Sequence, residues 1–333
     1  MSAATETVGS VRPRPLDALL GWARRNTWTL GLLGLLVLLF LFTKTIQPSY
    51  GAPGIQGLAS AVLPIALVAA GQAIVVISGG IDLSVGSMMA LTSVVSAALM
   101  AQSMELAIPI VLGVLVLGLV LGAINGGLVV VTRVPDIVVT LAMSFVWAGF
   151  ALLVLKTPGG AAADWLKQLV TGSIVSEWVP RAALVLVIVV AAIWIPLRPS
   201  RLGLSIYAIG SSQLAALRSG VPVGRTKVAA YALTGLFSAL AGLSLTANTG
   251  IGSPVPGGYT LQSVAAIVLG GVSLAGGRGG VFGPIIAVII LQLIRTDMTF
   301  LNINTNLATV TQGAILIGVV MFGSLIQMRR ARA

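Results

Sequence analysis

The chain of 333 residues is a series of long apolar runs separated by short polar or glycine-rich segments. A run of about 17–25 apolar residues is long enough to cross the hydrocarbon core of a bilayer as a helix. Ten runs meet or approach this length, and we predict a membrane-spanning helix for each. They are 28–46, 58–78, 85–103, 106–128, 137–155, 181–197, 228–247, 261–275, 281–296 and 307–326. The eighth and ninth are short and flanked by glycine.

Composition supports this interpretation and narrows the chemistry. The chain is 57% hydrophobic and 8% charged, whereas an ordinary soluble domain is about 25% charged and needs those residues to cover its surface. We therefore predict an all-α, polytopic membrane helical bundle. The sequence contains no cysteine and no histidine, which excludes disulfides, thiolate zinc sites and a histidine base. We expect no catalytic residue, no metal ligand and no bound cofactor.

The net charge of +11 has two possible explanations, nucleic-acid binding or the positive-inside rule of membrane proteins. With both termini inside, the predicted spans place 14 Lys and Arg residues in the cytoplasm and 5 outside, while the acidic residues divide 4 and 4. This cationic bias favours membrane topology and no nucleic-acid partner. We divide the chain into a cytoplasmic segment (1–27), one transmembrane domain (28–326) and a basic cytoplasmic tail (327–333).

The longest predicted cytoplasmic loop is 198–228, and the longest outside loop is about 156–180. Within the first, good helix formers run from Ser211 to Ser219 and are followed by Gly220, a typical helix stop. We predict a short helix there; periodicity alone leaves open whether it docks a partner or belongs to a solvated loop. The outside loop, which contains two tryptophans, is predicted to be an interfacial amphipathic segment.

Two glycine-rich strings lie on the predicted cytoplasmic side, at 78–86 and 270–280. In the first, Asp82 or Ser84 would serve as the N-cap of the third helix, and the glycines would allow a tight reversal. The alternative is a gate at the inner mouth of a passage. Local chemistry alone favours the cap.

Polar side chains within the predicted spans are few and uncharged: Gln72, Asn125, Asn248, Gln262 and Gln292. Such amides usually bond neighbouring helices, but they also suit a passage for a neutral solute. Only Asp82 and Asp136 among the inner acidic residues lie near the membrane, which argues against an ion-driven carrier. The sequence has no P-loop motif, so ATP would have to be bound by another subunit.

Three stretches in this order resemble the permease subunits of bacterial ABC importers of the ribose type. They are GQAIVVIS with the following GGIDLSVGS (71–87), LSIYAIG through GVPV (204–223), and GY through AAIVLGGVSLAGGRG (258–279). The resemblance extends over about residues 55–325. The chain departs from the family pattern at Gln213, Thr260, Gln262 and Gln312, where relatives often carry charged residues.

The resemblance implies a permease in the bacterial inner membrane that pairs with a second copy or a paralogue. It further implies a cytoplasmic ABC ATPase, a periplasmic or lipid-anchored sugar-binding protein, and import of a monosaccharide such as ribose, xylose or galactose. Coupling to the ATPase would fall on Gln213, Leu214, Ala215, Ala216, Leu217 and Gly220. The gate or signature segment would comprise Gly79, Gly80, Asp82, Ser84, Gly86, Gly270, Gly271, Gly276 and Arg278.

Two alternatives stay open at this stage. The same machinery could import a nucleoside, a polyol or a furanosyl signalling compound, since related permeases carry such solutes. A secondary carrier or a channel, which needs no ATPase, is the alternative from a different class.

Overall fold

The computed structural model describes residues 27–255 and 257–304 and single positions between 307 and 321. The first half contains α1 (Thr27–Ile46), α2 (Ala52–Ile77), α3 (Val85–Gln102), a 3-10 turn (Met104–Leu106), α4 (Ala107–Thr132), α5 (Asp136–Val154) and α6 (Asp164–Val170). An antiparallel hairpin of β1 (Ser173–Ile174) and β2 (Ser176–Pro180) follows. The second half contains α7 (Arg181–Leu197), α8 (Arg201–Ser211), α9 (Gln213–Arg218), α10 (Val223–Thr249), α11 (Tyr259–Leu269) and α12 (Phe282–Phe300).

The described helices confirm an all-α membrane bundle but not ten long spans. Seven helices are long and apolar enough to cross a membrane, namely α1, α2, α3, α4 with its 3-10 turn, α5, α10 and α12. An eighth span is reached if α7 and α8, which are bent by 78° at their junction, are taken together. The remaining two predicted runs, 261–275 and 307–326, do not correspond to any of these spans.

The predicted span 261–275 is wrong as a single helix. Helix α11 has 11 residues and is therefore about 16 Å long, roughly half the thickness of the hydrocarbon core. The helix stops before Gly270, which packs so closely on the start of α12 that an added Cβ would lie 2.6 Å from the Cα of Pro284. The predicted span included residues 270–275, which belong to the following loop, because they continue the apolar run.

The last predicted span, 307–326, lies largely outside the described residues. The positions described within it, such as Val310 and Met321, are helical. Residues 1–26 and 322–333, which include nearly all of the predicted N-terminal segment and the whole basic tail, lie outside the described part of the chain. The division into these segments stays a prediction.

Helix α2 forms the centre of the bundle, since every residue from Val62 to Ser78 is buried. Helix α10 packs extensively on α2, α3 and α4. Its contact with α4 depends on small residues, because an added Cβ on Gly235 would lie 2.8 Å from the backbone nitrogen of Gly122. Close approach through glycine is a common way for membrane helices to pack. The exposed apolar side chains of α1, α4 and α5 are left to face lipid.

The predicted outside loops meet at one end of the bundle. Gly159 and Gly252 exchange backbone hydrogen bonds, and the N–H of Ala161 donates to the carbonyl of Ala97 at 3.0 Å. The outside loop 156–180 is not one amphipathic segment as predicted but the short helix α6 followed by the β hairpin. The chain reverses between the two strands at Val175, which adopts a positive φ of 64°.

The predicted cytoplasmic loop forms a helical pair at the other end. Helix α9 is capped by Ser212, whose hydroxyl accepts from the N–H of Ala215 at 3.3 Å. Gly220 has a φ of +81°, as its role as a helix stop requires. The predicted short helix is thus confirmed, although it starts at Gln213. The sequence did not predict α8, which begins after the capping hydroxyl of Ser200.

A reporter enzyme active only outside the cytoplasm tests this topology. Fused after Gly160 it is expected to be active, and fused after Gly210 it is expected to be silent, because these positions lie at opposite ends of the bundle. Enzyme activity of matched fusions, normalised to their abundance, is the measurement. The opposite pattern would invalidate the proposed orientation.

Candidate functional site

Three segments far apart in sequence meet at the predicted cytoplasmic end of the bundle through four glycines, Gly79, Gly210, Gly276 and Gly277, which we call the glycine junction. The N–H of Gly277 donates to the carbonyl of Ile77 at 2.9 Å. A Cβ on Gly276 would lie 3.0 Å from the Cα atoms of both Gly79 and Gly210. The junction therefore joins the end of α2, the end of α8 and the loop between α11 and α12, backbone to backbone.

Tyr207 gives the same three segments a second connection. Its hydroxyl, on α8, donates to the carbonyl of Gly279 at 2.7 Å. Both predicted glycine-rich strings are therefore linked to the helical pair α8–α9, which the sequence analysis treated as a separate feature. A displacement of α8 would be transmitted directly to the end of α2 and to the loop before α12.

Helix α9 carries five of the six predicted coupling residues, with Gly220 following it, and presents an apolar surface. Leu214 and Leu217 are each 59% exposed, whereas Ala216 between them is buried. Gln213 and Ala215 are exposed on the same helix. An exposed pair of leucines on a short, capped helix is compatible with the predicted docking role, which stays a prediction.

The predicted signature residues Asp82 and Ser84 lie inside the bundle. The Oδ1 atom of Asp82 accepts from the N–H of Ser84 at 2.8 Å and from its hydroxyl at 2.7 Å. Asn125 on α4 donates from Nδ2 to the Ser84 hydroxyl at 2.6 Å and accepts from the indole of Trp147 on α5 at 3.2 Å. Asn125 lies about two turns before the end of α4, so this segment reaches into the depth of the bundle.

The N-cap interpretation of this segment holds only for position. Helix α3 begins directly after Ser84, but the Ser84 side chain accepts no hydrogen bond from its first turn. The Ser84 hydroxyl is committed to Asp82 instead, and the other carboxylate oxygen of Asp82 is buried without a hydrogen-bond partner in the described part of the chain. Gly79 provides the predicted tight reversal, with a φ of +84°.

The sequence analysis missed a second set of residues that holds this segment. The hydroxyl of Tyr231 on α10 donates to Oδ2 of Asp136 on α5 at 2.9 Å, and Lys227 Nζ lies 3.7 Å from the same oxygen. Gly80 fits against this group, because its Cβ would lie 2.6 Å from Asp136 Oδ2. Thr140 adds a hydrogen bond from the N–H of Leu83 at 3.0 Å. No local pattern in the sequence predicts these long-range pairs.

The predicted passage residues do not form one group. Gln262 on α11 and Gln292 on α12 line a shared cavity of about 10 Å³, roughly the space of one water molecule. Gln72 is fully buried, and neither amide atom has a hydrogen-bond partner among the described residues. Asn125 is engaged by Ser84 and Trp147, and Asn248 is exposed at the outer end of α10.

The remaining signature residues surround the loop between α11 and α12. Gly86 at the start of α3 donates its N–H to the hydroxyl of Thr260 at 3.1 Å. Gly270 and Gly271 follow α11, and Arg278 accepts through its carbonyl from the N–H of Ser273 at 3.1 Å. The side chain of Arg278 is exposed at the cytoplasmic end.

The bundle contains buried carboxyl groups, contrary to the prediction from the sequence. Asp297, which the sequence analysis assigned to an outside loop, lies within α12 and is 4% exposed. Asp82 is also buried inside the bundle. Two carboxyl groups thus lie within the bundle, and the choice between an importer subunit and an ion-driven carrier depends on other evidence.

Comparison with known proteins supplies that evidence. A family model described as "Branched-chain amino acid transport system / permease component" matches residues 54–320. The ribose import permease protein RbsC of Bacillus subtilis (strain 168) is 35% identical over 295 residues, 87% of this chain and 90% of that protein. RbsC of Escherichia coli (strain K12) is 33% identical over 262 residues, 77% of this chain and 81% of that protein.

A relative with a different named solute matches over an even larger share of both chains. The autoinducer 2 import system permease protein LsrD of Escherichia coli O9:H4 (strain HS) is 30% identical over 319 residues, 92% of this chain and 94% of that protein. No solved structure matches the chain significantly.

The similarity covers the transmembrane helices, both glycine-rich strings and the helical pair α8–α9, so it does not depend on a single motif. It confirms the resemblance inferred from the sequence, and the relatives are transport subunits rather than enzymes. Together with the seven helices of the described residues that are long and apolar enough to cross a membrane, it identifies a multi-pass protein of the inner membrane. The chain belongs to the permease-component family of branched-chain amino acid transport systems and is similar to the ribose and autoinducer 2 import permeases.

Proposed function

We propose that the chain is the transmembrane permease subunit of a binding-protein-dependent ABC importer and that it forms the passage for a monosaccharide of the ribose, xylose or galactose type. The observation that carries this proposal is the attachment of α8–α9 to α2 and to the loop before α12 through the glycine junction. A projecting helical pair that is rigidly joined to membrane helices suits a subunit driven from outside itself. The ribose import permeases among its relatives support the solute class.

The proposed partners follow from this division of labour. A cytoplasmic ATPase would seat α9, a periplasmic or lipid-anchored binding protein would deliver the solute, and a second copy or paralogue would complete the passage. The chain has no P-loop, so ATP would be bound only by the partner.

A furanosyl signalling compound is the second candidate solute, favoured by the similarity to the autoinducer 2 import permease. Nucleosides and polyols are further candidates on chemical grounds, because uncharged amides in the membrane also suit their hydroxyl groups. A secondary carrier or channel remains the alternative from another class.

Reconstitution tests the proposal. The chain, its candidate ABC ATPase and its candidate binding protein are placed in proteoliposomes, and uptake is measured for labelled ribose, xylose, galactose, a nucleoside and a furanosyl compound. We expect ATP-dependent uptake of one monosaccharide and no ATP hydrolysis by the chain alone. Uptake driven by an ion gradient without the ATPase would overturn the importer assignment, and uptake of only the furanosyl compound would overturn the monosaccharide.

Substitution of Gln72 by leucine separates solute contact from helix packing. Because neither amide atom of Gln72 has a described partner, Gln72→Leu should leave the free energy of unfolding unchanged or raise it, by about 1 kcal/mol. If the amide meets the solute during transport, uptake should fall about tenfold or more. Thermal unfolding and initial uptake rates are the measurements.

The matched control is Asn125→Leu, since both amide atoms of Asn125 are hydrogen-bonded. This change removes the hydrogen bond from Asn125 to the Ser84 hydroxyl and leaves the Trp147 indole N–H without its acceptor. The loss of both bonds should cost about 2 kcal/mol of stability. Normal uptake by Gln72→Leu would remove Gln72 from the passage.

A further inference from the structure

A cavity of about 230 Å³ lies at the cytoplasmic end of the bundle, away from the passage residues. Its side-chain walls come from Trp28 at the start of α1, Trp194 and Arg198 at the end of α7, and Phe282 at the start of α12. Backbone from the glycine-rich loop between α11 and α12 completes it. None of the predicted passage amides and no residue of the coupling helix lines this cavity, although Gly270 and Gly271 of the predicted gate or signature segment do.

The walls of the cavity are held in place by specific contacts. The indole N–H of Trp28 donates to the carbonyl of Leu269, the last residue of α11, at 2.9 Å. The same indole lies over Gly271, where an added Cβ would meet it at 2.6 Å. Trp194 is 4% exposed. The cavity is therefore bounded by fixed aromatic rings and by backbone.

The charge of the cavity is positive. Arg198 is exposed at its edge and makes no ion pair with any acidic residue in the described part of the chain. The positive end of the α12 dipole adds to this charge. An anion at this position would be attracted by both of these positive charges.

The surroundings of the cavity indicate a lipid rather than a soluble anion. Tryptophan is enriched at the level of lipid headgroups, and basic pockets between membrane helices on the cytoplasmic side bind anionic headgroups. Phe282, which lines the cavity, is 54% exposed and gives acyl chains an apolar surface at its edge. The volume is below the 300–1,000 Å³ or so of pockets for drug-sized ligands, as suits a headgroup whose chains stay outside.

We propose that this cavity binds the phosphate of an anionic phospholipid from the cytoplasmic leaflet, with Arg198 contacting the phosphate and Trp28 and Trp194 enclosing the glycerol. The lipid would rest on the loop that is also joined to α8 by Tyr207 and Gly277. It would thus stabilise the arrangement of that loop independently of which solute is carried.

Native mass spectrometry of the full chain released from nanodiscs tests this proposal. The nanodiscs contain phosphatidylcholine and phosphatidylglycerol in equal amounts, and phospholipids retained per chain are counted. We expect the wild type to retain one phosphatidylglycerol in preference to phosphatidylcholine. Arg198→Gln should weaken this retention about fivefold, while Arg201→Gln, which removes an equal charge that does not line the cavity, should leave it unchanged.

A second variant tests the cavity without altering its charge. Gly280→Leu should fill the space, since a Cβ on Gly280 has Trp194 at 3.7 Å and no closer neighbour, and should reduce retention as much as Arg198→Gln. Equal retention by the wild type and Gly280→Leu, or by Arg198→Gln and Arg201→Gln, would overturn the proposal. A free phosphate site is the other source of the same chemistry; displacement of the lipid by millimolar inorganic phosphate would overturn the lipid assignment.

Discussion

Gly210→Ala is expected to abolish uptake, although alanine is a better helix former than glycine. Gly210 lies in α8 at the centre of the glycine junction, and its added Cβ would overlap the carbonyl oxygen of Ile77 and lie 2.5 Å from the backbone nitrogen of Gly277. No rotation of a side chain can relieve contacts with backbone atoms. Helix α8 would have to move away from α2, and the hydrogen bond from Gly277 to Ile77 would be lost.

The cost of this change should fall on both stability and coupling. Overpacking of this kind typically lowers the free energy of unfolding by about 1–3 kcal/mol. Thermal unfolding, membrane abundance and ATP-dependent uptake by the reconstituted complex are the measurements. Uptake should fall to background even in the fraction of protein that is folded, because α8 would no longer move together with α2.

The matched control is Gly113→Ala on α4, where no atom outside the local turns of α4 itself lies within 4 Å of the added Cβ. This substitution should preserve uptake and raise stability slightly. If Gly210→Ala transported at the wild-type rate, the glycine junction would not be a mechanical connection.

The double change Leu214→Asp with Leu217→Asp is expected to release the ATPase. Burying a leucine side chain in an interface contributes about 1.5–3 kcal/mol, so losing two of them should weaken ATPase binding by more than about 100-fold. The fold should be unaffected, because both side chains are exposed in the chain itself. Capture of the ATPase by the tagged permease and ATP-dependent uptake are measured together.

Gln213→Glu is the control for the introduced charge. It lies on the same helix, at a position where the family resemblance places an acidic residue, and should leave ATPase capture and uptake near normal. Wild-type capture by the double variant would show that α9 does not dock the ATPase. Loss of capture by Gln213→Glu as well would mean that any added negative charge prevents docking.

Some features of this protein follow from the sequence alone. Long apolar runs predicted α1 to α5, α7, α10 and α12, because the length needed to cross a bilayer and the intrahelical pairing of the backbone are local properties. The pattern of a serine start and a glycine stop predicted α9 and its termination by Gly220, because helix capping also depends only on residues close in the sequence. Where hydropathy continued past a helix end, as at Gly270, the prediction failed, since an apolar loop and an apolar helix have the same average.

Only the tertiary structure decided which residues act together. Gly79 packs against Gly276. Tyr231 and Asp136 are 95 residues apart in the sequence, and Trp28 and Leu269 are 241 residues apart. No periodic pattern in the sequence indicates any of these pairs. It also decided that Asn125 is bound within the Asp82 network whereas Gln72 is buried without a partner. An amide's role depends on which atoms of other helices lie within about 3 Å, and packing alone determines that distance.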